Sequence, residues 1–377
     1  MAIYLDSAAS TRVKLEVLDD FMDVATHLYA NPSSEHTEGY RAETCIKLTQ
    51  DIIAKKIHCR NDEIYFTTGA TMSNQLLIQG FVAKNPHGMV ITTNVEHNDI
   101  ILLMEDLTCH KYILKVGEDG LINLTQLAEI LRYSSTEMNV PTLVTIQMAN
   151  SETGIIQPIH EISNIVRKYN NAFLHMDATQ YIPHYPINIH CWGIDSISMS
   201  GQKIGGLKGS GLLVVRQTLR ENIKPIIFGE QGLIGGTPAT PLISSLGTAF
   251  SLLNYNISDP SYVRFKRDAL LSSLQDLGAI LVGGLENRLP NNIYCRFPGV
   301  NGLTLLHVLD ERDIYIGTGS ACSTDSDKPS HVAKAYGLTD EEAFECARFT
   351  LSNETSFKDI EKVVKTLQSV LPLITKS

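Results

Sequence analysis

At 377 residues, 43% of them hydrophobic and 19% charged, the chain has a globular composition and enough apolar material for more than one core. Its net charge of -10, from 31 basic against 41 acidic side chains, argues against a general nucleic-acid surface, and no run of about 18 apolar residues marks a membrane span. The seven cysteines contain no Cys-x-x-Cys pair, so neither a disulfide framework nor a zinc site is expected, and the start Met1-Ala2-Ile3-Tyr4-Leu5-Asp6 has no basic leader or apolar core of a signal peptide. These features point to a reduced, cytoplasmic setting, to small-molecule or protein partners, and to no metal.

The short segment Ile3-Tyr4-Leu5-Asp6 precedes a helical pattern over Val13 to Ala30, which stops at the turn Asn31-Pro32-Ser33-Ser34. A second amphipathic run, Thr37 to Lys56, carries Ile46, Leu48, Ile52 and Ile53 and leads into a β-branched and aromatic strand over Glu63 to Thr68. Strands and helices then alternate. Strands are expected over 89–93, 111–116, 142–148, 173–176, 196–199 and 211–215, and helices over 72–83, 98–107, 124–133, 158–169 and 241–254. Together with the strand at 63–68, this alternation predicts an α/β unit on a mostly parallel seven-stranded sheet. The pattern breaks at Asn256 to Pro260. Helices over 261–277, 302–311 and 357–371, with strands over 279–282 and 292–296, read as a smaller α+β unit. The expected division sets residues 14–257 against residues 1–13 plus 258–377.

Chemistry is suggested at four stretches. Ser196-Ile197-Ser198-Met199-Ser200-Gly201-Gln202-Lys203 ends a strand with a lysine on a glycine-rich turn, and Asp177 closes the preceding strand, Phe173 to Met176. Open α/β sheets place ligands at such strand ends, and a lysine with a buried acid is the pair that pyridoxal phosphate requires. Thr68-Gly69-Ala70-Thr71 opens a helix, where backbone N–H groups and the helix dipole suit a phosphate, although an ordinary glycine turn reads the same way. His97 follows another strand end, as a capping residue or as a proton shuttle stacked on a ring. Cys322 sits among small and polar residues, Gly317 to His331, as a candidate nucleophile; the other cysteines lie in periodic or apolar surroundings and read as packing residues.

Taken in order, Tyr4-Leu5-Asp6 with Ala8-Ala9, Asn31-Pro32-Ser33-Ser34-x-His36, Thr68-Gly69-Ala70-Thr71, Glu96-His97, Glu152-Thr153-Gly154, Asp177-Ala178-Thr179-Gln180, Ser200-Gly201-x-Lys203, Gly236-Thr237, Gly319-Ser320-Ala321-Cys322 and Arg348-Phe349 resemble the cysteine desulfurase family. That family lies in the class V aminotransferase group of fold-type I enzymes that use pyridoxal 5'-phosphate. The resemblance implies that Lys203 carries the cofactor covalently, Asp177 holds the pyridinium nitrogen, Gln180 reaches the phenolic oxygen and His97 stacks on the ring. It also implies that Ala70, Thr71, Ser200 and Gln202 lie at the phosphate, that Ser151 lies near the ring, and that Thr237 reaches the cofactor of a second subunit in a homodimer. Arg348, supported by Asn31, would pair with the α-carboxylate of L-cysteine, and Cys322 would take its sulfur as a persulfide, releasing alanine.

Gln202 stands where the family usually has His, Ser151 where it has Asn, and Ile234 where it commonly has Arg. These differences bear on cofactor affinity, rate and substrate scope. The chain ends at Ser377, soon after its last helix, so docking of an iron–sulfur scaffold through a longer tail is not expected, and the sulfur-acceptor protein is left open between iron–sulfur and thiolation pathways. Two alternatives accompany this reading: a related lyase acting on cystine or selenocysteine, for which Cys322 is dispensable, and a non-catalytic member acting as a binding subunit.

Overall fold

Strand runs such as Thr142–Gln147 and Gly211–Val215 are buried along their whole length, the pattern of strands covered on both faces. The structure is a computed structural model that describes residues 2–229, 232–255, 260–319 and 328–375; Cys322 lies outside the described residues. In chain order the strands are β1 (Ile3–Tyr4), β2 (Ile64–Thr67), β3 (Met89–Thr93), β4 (His110–Leu114), β5 (Thr142–Gln147), β6 (Ala172–Asp177), β7 (Ser196–Ser200), β8 (Gly211–Val215), β9 (Ile280–Leu281), β10 (Asn292–Arg296), β11 (Ile314–Tyr315) and β12 (Cys346–Thr350).

Seven of them form the expected sheet, in the order β2-β8-β7-β6-β5-β3-β4. The pairs from β7 to β4 are parallel, whereas β8 runs antiparallel to both β7 and β2. The outermost strand β4 exposes His110 and Lys111 and buries only its last residue, Leu114, which suits an edge open to water. Helices cover both faces. One apolar core joins Val144, Leu174, Met176 and Ile197 to Ile53, Leu246 and Phe250; the other joins Val90, Leu143 and Leu213 to Leu77 and Phe81 of the helix Ala70–Lys84.

A further core draws Ile3 and Leu5 together with Leu270, Ile293, Phe349, Val363 and Leu367. β1 pairs with β11, and β10 lies between β9 and β12, so the start of the chain packs against its last third. The expected helices at 37–56 and 357–371 appear as Thr37–Ile57 and Phe357–Ile374. Strand β12 and the short helices His331–Ala335 and Asp340–Phe344 were not anticipated. Cys346-Ala347-Arg348-Phe349-Thr350 is buried throughout, so its interior arginine removes the alternation that normally announces a strand.

Candidate active site

Asp177 is the last residue of β6 and lies opposite Ser198 in the parallel pairing with β7. Ser200 ends β7, and the 3-10 turn Gly201–Lys203 follows at once, so sheet register alone sets Asp177, Ser200 and Lys203 along one edge. The backbone carbonyl of Gln202 accepts from both the amide and the hydroxyl of Thr11, which fixes that turn against the N-terminal segment. Lys203 Nζ donates to the carbonyls of Ala8 at 2.7 Å and Ala9 at 2.6 Å, and Gln180 Nε2 donates to the same Ala8 carbonyl at 3.0 Å. The lysine head and Gln180 therefore share one anchor.

Across from β7, the helix Ala70–Lys84 begins at Gly69, whose φ of 154° and ψ of 177° belong to a region that is essentially glycine's alone. A Cβ at neighbouring Gly211 would come within 2.5 Å of the Gly69 Cα, so strand and helix start approach closely because both lack side chains. Ser200 Oγ accepts from the Ala70 amide at 2.8 Å, and Thr71 is exposed in the first turn. Two hydroxyls, of Ser200 and Thr71, beside the first amides of a helix suit an anion cradle.

Asp177 Oδ1 accepts from the Thr179 amide at 2.9 Å and Oδ2 from Asn74 Nδ2 at 3.0 Å. Burial pushes its carboxyl above the usual range, and nearby Asp99 adds to the shift. No ion pair to Asp177 occurs among the described residues. His97 caps the helix Asn98–Asp106, its Nδ1 2.8 Å from Asp99 Oδ1, and its side chain is 39% exposed.

Arg348 lies on β12 and is 2% exposed. It donates through Nη1 to the Ser151 carbonyl at 3.0 Å and through Nη2 to Asp6 Oδ1 at 2.8 Å, while its buried Nε has no hydrogen-bond partner among the described residues. Beside it, burial lifts the Glu152 carboxyl to about 7, against the opposing effects of a hydrogen bond from Ser330 and the Arg348 charge. Glu96, held by Thr93 Oγ1 at 2.6 Å and the Gln147 amide at 2.9 Å, is raised to about 8 by burial.

Asp177, Gln180, Ser200, Lys203 and Ala70 are thus joined by strand pairing or shared hydrogen bonds, and Arg348 meets Ser151. No hydrogen bond links Asn31 to Arg348 among the described residues; its Oδ1 accepts from the Ser33 amide at 2.9 Å in a local turn, and the residue is exposed. Thr237 is exposed and lines a cavity of about 640 Å³ with Thr68 and Met72; a second cavity, of about 610 Å³, reaches Gln180 and Lys203. Of the cysteines expected to pack inside, Cys109, Cys295 and Cys346 are buried, but Cys191 is exposed, since its helix is one short turn at the surface. Asp6, Asn74 and Asp99 were missed as site residues, although Asp6 stands in the quoted Tyr4-Leu5-Asp6 motif.

The class-V aminotransferase family model matches residues 3–363. The chain belongs to this family. It is 33% identical over 389 residues to a cysteine desulfurase IscS of Dictyoglomus turgidum, covering 98% of this chain and 96% of that protein. Among solved structures it is similar to a NifS-like protein, with a TM-score of 0.90 and 28% identity over 99% of this chain and 100% of that one. It is also similar to SspA in complex with cysteine, with a TM-score of 0.80 and 32% identity over 93% and 98% of the two chains. Pyridoxal phosphate is the cofactor of the family, and the residues present fit it: a buried carboxyl with no ion pair among the described residues, a lysine just past the end of the adjacent strand, and an anion cradle beside them.

Proposed function

We propose that the protein is a cysteine desulfurase that converts L-cysteine to L-alanine and passes the sulfur, through Cys322, to an acceptor protein. One observation carries this reading: the buried Asp177 at the end of one strand and the half-buried Lys203 in the turn after its neighbour lie beside the phosphate-type cradle at Ala70 and Ser200. When bound, pyridoxal phosphate supplies an electron sink for the bonds at the substrate's α-carbon. Asp177 would hold its ring nitrogen, Gln180 its phenolic oxygen, and Ala70, Thr71, Ser200 and Gln202 its phosphate. The absence of an ion pair to Asp177 among the described residues supports this role, because a protonated ring nitrogen would supply the positive partner that favours the anionic carboxylate against burial.

Lys203 removes the α-proton, and His97, oriented by Asp99, assists in moving it. Arg348 binds the α-carboxylate through its planar fork, with Nε, which has no hydrogen-bond partner among the described residues, as a donor in hand and the Ser151 carbonyl fixing the guanidinium. The Cys322 thiolate attacks the substrate's sulfur; an S–S bond forms as the carbon–sulfur bond breaks, and its electron pair stays with the carbon fragment, which takes up protons and leaves as alanine. Thr237, exposed on an open cavity, suits a contact to a second subunit, and a homodimer is part of the reading. The unpaired thiols at Cys45, Cys59, Cys109, Cys191, Cys295 and Cys346 suit a reduced, cytoplasmic compartment. No described helix is long and apolar enough to cross a membrane.

The separate apolar core that joins Ile3 and Leu5 to the last third of the chain supports the division into residues 14–257 and residues 1–13 plus 258–377. The activity is tested by incubating cofactor-loaded protein with L-cysteine and a thiol reductant. Alanine and sulfide in equal amounts are expected; pyruvate in place of alanine would assign a lyase instead.

A further inference from the structure

β6 and β7 are central strands covered on both faces, yet they alternate polar with apolar: His175 and Asp177 on one, Ser196, Ser198 and Ser200 on the other. Alternate residues share a face, so these five line one side of the sheet, and the register sets His175 beside Ser196 and Asp177 beside Ser198. The helix Ala70–Lys84 lays Asn74 onto that stripe. Asn74, His175, Ser196 and Ser198 are each fully buried.

Their hydrogen bonds run in one direction. Asn74 Nδ2 faces two carboxylates, Asp177 Oδ2 at 3.0 Å and Asp99 Oδ2 at 3.4 Å, which fixes the amide with its nitrogen toward them. Asn74 Oδ1 then accepts from Ser198 Oγ at 2.5 Å and from His175 Nε2 at 3.0 Å. His175 must carry its proton on Nε2, and Nδ1 accepts from Ser196 Oγ at 3.0 Å. Burial lowers His175 to about 3, so it stays neutral and keeps this orientation at every working pH.

We propose that Asn74, oriented by Ser198 and by His175 on Ser196, is the positioning residue that aims the Asp177 carboxylate at the cofactor's ring nitrogen and ties it to the Asp99–His97 pair. The inference rests on the cofactor reading given above. Asn74 does two things: it restricts the Asp177 rotamer, and its N–H stabilises the carboxylate, which keeps the shared proton on the ring nitrogen. Removing that donor makes Asp177 more basic and draws the proton toward the carboxylate.

The test uses protein reconstituted with pyridoxal phosphate labelled with 15N in the ring, read by solid-state NMR, together with cofactor dissociation by equilibrium dialysis. In Asn74→Ala the ring-nitrogen resonance should move toward its unprotonated position and the dissociation constant should rise about 10- to 100-fold. His175→Leu should move both in the same direction by less, and adding it to Asn74→Ala should cost nothing further, because it acts through Asn74. An unchanged resonance in Asn74→Ala overturns the proposal whatever happens to affinity, since lost affinity alone is what a merely structural residue gives. Should Asn74→Ala not fold, Ser198→Ala decides by the same resonance. Wild-type protein that takes up no cofactor overturns the earlier reading and this one together; wild-type uptake with an unmoved variant overturns this one alone.

Discussion

The proposed cofactor half of the site takes Asp177, Ser198, Ser200 and Lys203 from two neighbouring strands and the turn after them, whereas the proposed substrate half ties Arg348 to Asp6 across 342 positions of chain. In the first, sheet register delivers the geometry, and neighbouring side chains need only the right residue types. In the second, β12 and the segment after β1 must fold together before the guanidinium has a carboxylate and the Ser151 carbonyl to hold it. One half is therefore organised by local pairing and the other by closure of the chain on itself. Variants in the two halves should fail in different ways.

The largest expected effect lies in the cofactor half. Lys203→Ala removes the proton-transferring amine, and alanine formation should fall by about 10⁴-fold or more, measured by single-turnover product analysis. The substrate half should separate cleanly from it. Arg348→Lys keeps the charge but loses the fork, so KM for L-cysteine should rise about 10- to 100-fold while cofactor dissociation stays at the wild-type value. A matching loss of cofactor would show that the two halves are one cooperative unit.

Gly69→Ala probes the close approach on which the cradle depends. The alanine must adopt a glycine-only backbone conformation and bring a Cβ to 3.2 Å from Ser200 Oγ, so unfolding free energy in urea should drop by about 1–3 kcal/mol. The smallest effect concerns pH. Glu96 and Glu152 are raised in the folded protein, to about 8 and about 7, so the folded state holds protons that the unfolded chain releases at the ordinary carboxyl value. Their stabilising contribution is full below about pH 4.5 and is lost as pH rises through the folded values. Stability of the cofactor-free protein should accordingly decline between pH 5 and 8, and Glu152→Gln should flatten that decline, as read from denaturation midpoints across the range.

Much of the cofactor half was legible because its signals are local. Ser196 to Lys203 and Phe173 to Asp177 each announce a strand followed by a functional side chain, and Thr68-Gly69-Ala70-Thr71 announces the helix start. The seven-stranded sheet followed from the same alternation. Asn74 escaped notice because it lies inside a helix, and only the register of β6 against β7 reveals what it faces. Yet the alternation His175-Met176-Asp177 and Ser196-Ile197-Ser198 in doubly covered strands was a readable anomaly. β12 was hidden for the opposite reason: burial on every side erases periodicity, and Arg348 is buried only because Asp6 and the Ser151 carbonyl meet it from distant parts of the chain. The support of Arg348 by Asn31 is implied by the family motif alone; among the described residues the Asn31 Oδ1 accepts from Ser33 within its own turn.

Transfer of the substrate's sulfur to Cys322 is read by a non-reducing mass measurement with peptide mapping on cofactor-loaded protein exposed to L-cysteine. One added sulfur atom is expected on the peptide holding Cys322, absent from both Cys322→Ser and Lys203→Ala. An unmodified Cys322 peptide alongside continued release of alanine or pyruvate would contradict it.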